Sequence, residues 1–599
     1  MEHTATSTLV REEEVEPRID TFADWQGDPR PPEGRNFASH NKRSPSRRLR
    51  SEGVIVFLLA FGVYFTVAWL LDLKYHSFSP DAVSRMANGF YILYSRDPHL
   101  AAVGFVWEPL QSIADAVFLI GNHLWPALSH NDMAGSLVSA LAMAGAVYQL
   151  LSALREWGVS LLPRLVLTAF FALNPMIVLY GGNGMSEGLY IFTLVASTRY
   201  LLRWVHRGDL RSLAYAAVAL AFSYLTRNEA IGGAAAGAVI VAAVSFGRAD
   251  GRRLSRAKTA VADAAIFGVP SFIAAAGWAI TSYVITGEPF EQFSSIYGTS
   301  TQQSLLRTKI MTLHGRALFE VHAIGALAPL IPLVLIASVA VAFWRRDPRV
   351  LAPLAVLGGA LGFDMLAYLD NSIQQFLRYF IAVLPLEVLL VGGLVAAVQA
   401  SRPVPDGLSV GTRSHHLGVR ALAVLASVCL VSVVMIPATV TTGSAMFNPK
   451  LGVLEVNQLG YIFHAHPSQA EIAEKDNYGW ILAMGDWFTS QHLPDGDVVV
   501  DNFPECVPPL LTTISQPKLF VIPNDQDFQR TLADPITFHA HYILEADPAA
   551  FPNTAINIEY PSLWSTGAEF TKVVHKFPSR ADCPAFRLFR VLQHSNTVT

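Results

Sequence analysis

Charge is what this chain lacks most for its length. Only 15% of its 599 residues are Asp, Glu, Lys or Arg, and its mean hydropathy is +0.36. A soluble globular chain carries roughly 25% charged residues, so a soluble fold of this size is excluded. The net charge of −4 offers no basic excess for a nucleic acid. Cysteine is nearly absent, at three residues: Cys429, Cys506 and Cys583. No P-loop and no dinucleotide-binding glycine motif occurs. No apolar segment opens the chain, so residues 1–50 do not read as a signal peptide. His415-His416 has no acid or cysteine at ligand spacing and reads as solvated rather than metal-binding.

What the chain has is long apolar runs. Stretches of about 20 apolar residues, the length a helix needs to cross a bilayer, recur through its first three quarters. The expected fold class is a polytopic α-helical membrane protein of about 11 spans, with a C-terminal α/β soluble domain. The spans are expected near 53–72, 133–154, 160–181, 185–205, 211–227, 230–247, 260–285, 322–344, 350–369, 379–400 and 420–441. Arginine tests this threading, because cytoplasmic loops carry the excess of Lys and Arg. The basic end of the tail (Lys42 to Arg50) falls on one side. So do the loops with Arg155, Arg203, Arg207, Arg252, Arg253, Arg345, Arg346, Arg402 and Arg413. That side is assigned as cytoplasmic, in a plasma membrane. The expected organisation is a disordered cytoplasmic tail (1–50), a transmembrane domain (51–444) and an extracytoplasmic α/β domain (445–599).

Two outer loops are long enough to carry function. Loop 73–132 holds Tyr91, Tyr94, Phe105, Trp107 and Trp125, with Val83, Met86, Phe90 and Leu93 at helical spacing. It is expected to form interfacial helices, one of them at 114–128. Loop 286–321 carries Arg307, Lys309, His314 and Arg316 and reads as a lid with cations suited to a phosphate. Beyond 445, strands are expected at Val498–Val500, Leu519–Ile522 and Tyr542–Leu544. Cys506 and Cys583 are the only cysteines of that region; the spacing alone leaves both a disulfide and two free thiols open.

The threading brings Asp81, Glu187, Arg227, Asn228, Glu229 and Arg378 to the same, outer face. Ionisable residues clustered at one depth near lipid mark a reaction or transport site. Each also has a plainer reading. Asp81 follows Pro80 and suits a helix start, as does Glu187. Arg227 and Glu229 are close enough in sequence to pair. Arg378 suits headgroup snorkelling as well as phosphate binding. Glu108, in Trp107-Glu108-Pro109-Leu110, adds a second carboxylate to the first loop. Glu387 lies near mid-membrane, where it needs a partner or a proton. Asp525-Gln526-Asp527 reads as a turn before a cation site.

The order of these motifs over residues 53–441 resembles the GT-C superfamily of integral-membrane glycosyltransferases. The resemblance rests on the early acid Asp81, Trp107-Glu108-Pro109-Leu110, Pro175…Met185-Ser186-Glu187, Leu225-Thr226-Arg227-Asn228-Glu229, and Arg378-Tyr379-Phe380 before Pro385. The C-terminal region is similar to the appended domains of actinobacterial members. Many members carry two acids at the first-loop position where this chain has Asp81 alone. That departure leaves a divalent cation, Mg²⁺ or Mn²⁺, open as a cofactor and gives no metal ligand set.

The resemblance implies transfer of a hexosyl or pentosyl unit (mannosyl or arabinosyl among them) from a polyprenyl-phosphate donor. The acceptor would be an envelope glycan, glycolipid or protein, and the anomeric carbon would be inverted. It gives Asp81 the base role, with Glu108 beside it, and the donor phosphate to Arg378 and Arg227. Glu187, Glu229, Tyr379 and His314 would line the substrate. Two rivals stand beside it: a lipid-glycan transporter or flippase, and a non-catalytic envelope-assembly protein. Transporters place charge at the midplane on broken helices and show inverted repeats; here the charges sit at span ends, and Glu387 alone favours transport.

Overall fold

A computed structural model describes residues 47–298, 312–400, 413–464, 466–580 and 583–592. Most of the expected tail lies outside the described residues, as do Arg307, Lys309 and Arg402. The chain divides into two units, Met1–Arg50 and Ser51–Thr599, and the second holds the spans and the sheet.

The chain is a polytopic helical membrane protein with a small sheet near its C-terminus. Among the described residues, seven helices are long and apolar enough to cross a membrane. They are Ser51–Tyr75, Met133–Trp157, Ala230–Arg248, Arg253–Thr286, Pro348–Leu369, Leu377–Ala400 and Ala421–Met446. Leu313–Leu327 and Ile331–Arg345, bent by 75°, make an eighth if they form one span.

The other three expected spans are helical but differ from the expectation, each for a physical reason. Residues 160–181 break into Leu161–Ala172 and Pro175–Tyr180. Pro175 disfavours helix at Asn174, and Asn174 instead caps the second helix, accepting from the Met176 N–H at 3.0 Å. Leu210–Tyr224 has 15 residues, which is roughly 22 Å of helix against about 30 Å of hydrocarbon. Glu187–Arg207 is long enough at 21 residues but carries Arg199 and Arg203, both of which pair with Glu156.

Small residues set the helix packing. A Cβ on Gly232 would lie 2.3 Å from the Gly359 carbonyl oxygen. Ala230–Arg248 and Pro348–Leu369 thus meet backbone to backbone, as small residues permit in membrane helices.

The C-terminal region holds a mixed five-stranded sheet in the order β2-β1-β3-β5-β4. The strands are β1 (Val498–Val500), β2 (Phe520–Val521), β3 (Tyr542–Ala546), β4 (Thr571–Phe577) and β5 (Phe586–Val591). β1 pairs in parallel with β2 and β3, whereas β5 runs antiparallel to β3 and β4. Cys506 and Cys583 form a disulfide, which ties the start of helix Val507–Thr513 to the approach of β5.

In loop 73–132 one helix departs from the interfacial expectation, whereas Val117, Ile120 and Leu124 are exposed. That helix, Pro80–Tyr94, buries Val83, Met86 and Phe90 in one core with Phe488, Leu510 and Phe586. The apolar face is covered by protein rather than by headgroups, so the C-terminal region is docked on this loop. The helix expected at 114–128 runs instead from Leu110 to Leu119.

Candidate active site

The residues expected to share one face meet, and the site can be built from Asp81. Pro80 at the first helical position suits a helix start, so Asp81 falls in the first turn of Pro80–Tyr94. Unpaired N–H groups there favour a carboxylate. Ser79 makes no side-chain cap; its hydroxyl points to Met185 Sδ at 3.1 Å.

Arg378 reaches Asp81 from the short turn Leu377–Phe380. Its Nη2 donates to Asp81 Oδ2 at 2.6 Å. The guanidinium side chain is 4% exposed, while the Asp81 side chain keeps 32% of its surface open. Arg378 Nε also lies 3.7 Å from Glu187 Oε1.

Arg227 sits in the hinge between Leu210–Tyr224 and Ala230–Arg248. All three of its nitrogens meet carboxylates. Nη1 donates to Glu187 Oε1 at 2.7 Å, and Nε and Nη2 donate to Glu229 Oε1 at 3.1 and 2.6 Å. Arg227, Glu187 and Glu229 are all buried. Tyr379 lies between the two arginines, its ring 5.4 Å from the Arg227 guanidinium carbon and 5.6 Å from that of Arg378. Such contacts favour cations held without solvent.

Sequence reasoning missed Arg85. It follows Asp81 by four residues and so shares its helix face. Arg85 is buried. Its Nη1 donates to the Asp81 backbone oxygen at 3.3 Å, and its guanidinium covers the Trp107 ring at 4.1 Å. Among the described residues, no carboxylate is within ion-pair distance of it. The available signal was the i, i+4 spacing of Asp81 and Arg85, which places both on the helix face opposite Val83, Met86 and Phe90.

The electrostatics follow from burial and these pairs. Burial pushes the Asp81 carboxyl up, but Arg378, Arg85 and Arg227 outweigh it and hold it below the usual range. Burial pushes the Arg85 guanidinium below its ordinary value; Asp81 and Glu187 oppose this. Glu108 is buried beside the cluster; burial, then the charge of Glu229, pushes its carboxyl up to about 7.

The remaining expected residues separate from this group. His314 is exposed at the start of Leu313–Leu327, and no hydrogen bond or ion pair among the described residues ties it to the cluster. Asn228 is half-buried in the hinge. Glu387 is buried with neither carboxylate oxygen hydrogen-bonded among the described residues, so no arginine reaches it. Asp525 and Asp527 are both paired with Arg96, which takes the place a cation would have. Among the described residues, no group of three or more His, Cys, Asp or Glu is placed to hold a metal ion. The charge beside Asp81 is a guanidinium, so the residues present do not fit a divalent cation.

No family model and no curated protein matches the chain. Among solved structures it is similar to ArnT from Cupriavidus metallidurans bound to undecaprenyl phosphate, at 13% identity and a TM-score of 0.49, over 90% of this chain and 98% of that one. The apo state of the same protein aligns at 14% identity and a TM-score of 0.46, over 90% of this chain and 98% of that one. The arabinofuranosyltransferase AftD from Mycobacteria aligns at 16% identity and a TM-score of 0.42, over 91% of this chain but only 40% of that one.

Proposed function

We propose that this site transfers a sugar from a polyprenyl-phosphate donor to a hydroxyl of an envelope glycan, glycolipid or protein. The reaction takes place on the extracytoplasmic face and inverts the anomeric carbon. The observation that carries this reading is the Arg378–Asp81 pair: a partly open carboxylate 2.6 Å from a buried guanidinium, with a second guanidinium, Arg85, one turn away.

The donor phosphate competes with Asp81 for Arg378, since guanidinium binds phosphate and carboxylate in the same fork geometry. As Arg378 turns to the phosphate, Asp81 loses the contact that holds its carboxyl low and becomes a stronger base. The acceptor hydroxyl gives its proton to Asp81 and attacks the anomeric carbon. The bond from that carbon to the phosphate oxygen breaks, and its electron pair leaves with the polyprenyl phosphate. Arg378 and Arg85 stabilise the charge that develops there. A single base and direct displacement give inversion. Arg227 acts differently: held by Glu187 and Glu229, it fixes Tyr379 and, through Glu187, Arg378.

Asp81→Ala is expected to abolish transfer from a radiolabelled polyprenyl-phosphate sugar while the protein stays folded in the membrane. Undiminished transfer removes Asp81 from the mechanism.

A further inference from the structure

A cavity of about 380 Å³ opens beside Arg378, within the range of roughly 300–1,000 Å³ typical of small-ligand sites. Its walls come from two parts of the chain. Tyr180, Asn183 and Arg378 belong to the helical part; Gln458, Glu505 and Phe551 come from the segments after the last span.

The polar walls are held in place. Tyr180 Oη donates to Glu455 Oε1 at 2.6 Å, and Asn183 Nδ2 donates to Gln458 Oε1 at 3.2 Å. Gln458 Nε2 in turn donates to the Ser77 carbonyl at 3.1 Å. Glu505 is exposed and adjoins Cys506, whose disulfide to Cys583 anchors it to the sheet region. Phe551 is half-buried, and its carbonyl accepts from Asn557 Nδ2 at 2.6 Å. Its ring meets that of Phe503 at 6.1 Å, and Phe503 in turn meets Tyr297 at 5.3 Å.

The chemistry of these walls selects among occupants. Three amides line it: Asn183 and Gln458, fixed by their mutual bond and by backbone, and the exposed Asn457, which offers both donor and acceptor, while the Glu505 carboxylate accepts only. Polyol hydroxyls satisfy that mixture, and an aromatic face covers the C–H surface of a sugar ring. A lipid tail would leave the Asn457 amide, which lines the same cavity, against hydrocarbon. A second anion would meet Glu505.

We propose that this cavity is the acceptor subsite, which takes a neutral saccharide, and that Glu505 and Phe551 of the C-terminal region set which saccharide is accepted. It rests on the transfer reading above only in calling that saccharide the acceptor. The cavity ends at Arg378, which is bonded to Asp81, so a hydroxyl of the occupant is brought to the base. The C-terminal region is then a specificity wall of the site and not an appendage to it.

The test uses the full chain in phospholipid nanodiscs. Neutral tetrasaccharides of hexopyranoses and of pentofuranoses serve as probes, and binding is read by saturation-transfer NMR. At least one probe is expected to bind the wild type and to bind at least tenfold more weakly to Phe551→Ala and to Glu505→Gln. Sugar-free polyprenyl phosphate is expected to leave the probe bound. Failure of every probe, equal binding by both variants, or displacement by polyprenyl phosphate each overturns the proposal. Saccharide binding without any sugar transfer would instead sink the transferase reading and leave the saccharide site standing.

Discussion

Arg227 and Arg378 look alike in the sequence, and the proposed mechanism gives them opposite jobs, which a pair of substitutions separates. Arg227 has all three nitrogens on carboxylates, and those carboxylates are themselves buried, with side-chain exposures of 1% for Glu187 and 8% for Glu229. Removing one partner of a buried ion pair costs about 3–5 kcal/mol, because the other charge is left without water or counter-ion. Arg227→Ala strands Glu229 and leaves Glu187 only its 3.7 Å contact with Arg378, so the loss is expected within that range. Arg378 has a partner, Asp81, with 32% of its side chain open. Water can replace the guanidinium there, so Arg378→Ala is expected to cost about 1–3 kcal/mol, the range for a hydrogen bond to a charged group. The assay is thermal unfolding in a fixed detergent, followed by intrinsic fluorescence and by monodispersity. Arg227→Ala should lower the midpoint clearly further than Arg378→Ala. The triple change Arg227→Met, Glu187→Gln, Glu229→Gln should recover most of the loss, since it removes the whole triad and strands neither of its carboxylates. Equal midpoints for the two single variants, or an unperturbed Arg227→Ala, would refute the assignment of Arg227 to structure.

Other outcomes follow from the same geometry. The Glu108 carboxyl, pushed up to about 7 from an ordinary 4.5, binds its proton more tightly folded than unfolded. Stability should therefore fall as pH rises from 4.5 to 7, by at most about 3 kcal/mol. Thermal midpoints of Glu108→Gln should be flatter across that window and higher than wild type above it; parallel curves would contradict this. Arg378→Ala should raise the KM for the polyprenyl-phosphate donor at least tenfold with little change in the acceptor KM, read from initial rates of transfer. Opening the disulfide, which closes a 77-residue separation, should destabilise the C-terminal region by about 4 kcal/mol on the chain-entropy scale. Proteolysis of Cys506→Ala with Cys583→Ala should show faster cleavage after 445 than in wild type, and equal cleavage would count against it.

Much of the fold was legible because membrane helices declare themselves. A run such as 420–441 has no other way to bury its backbone, and it appears within helix Arg413–Met446. The other three expected spans are less regular than a hydropathy window suggests: one is broken at Asn174-Pro175, one is 15 residues long, and one carries Arg199 and Arg203 paired with Glu156. β1, β2 and β3 were visible as runs of β-branched and aromatic residues. β4 was not, because Thr571–Phe577 alternates buried ends with exposed Lys572, Val574 and Lys576, a polar edge without a continuous apolar signal. The convergence of Asp81, Glu187, Arg227 and Arg378 could be inferred from sidedness alone. The pairing could not: Asp81 and Arg378 are 297 residues apart, and no local pattern says which acid takes which arginine. Arg85 was hidden for a related reason. It lies on the helix face opposite Val83, Met86 and Phe90, where an arginine reads as solvated, and only the ring of Trp107 beside it shows how a buried guanidinium is held.

The central claim is that Asp81 and its arginines release polyprenyl phosphate by moving its sugar to a hydroxyl. The most direct measurement supplies the purified full chain, in nanodiscs, with synthetic polyprenyl-phosphate hexose and pentose donors and the oligosaccharide panel. Free polyprenyl phosphate and the anomeric configuration of the product are then followed, for wild type and Asp81→Asn. The account expects wild type to release polyprenyl phosphate from at least one donor, with an inverted product, and Asp81→Asn to release less than a hundredth as much while remaining folded. Release at an undiminished rate by Asp81→Asn, or retention of configuration, would contradict it.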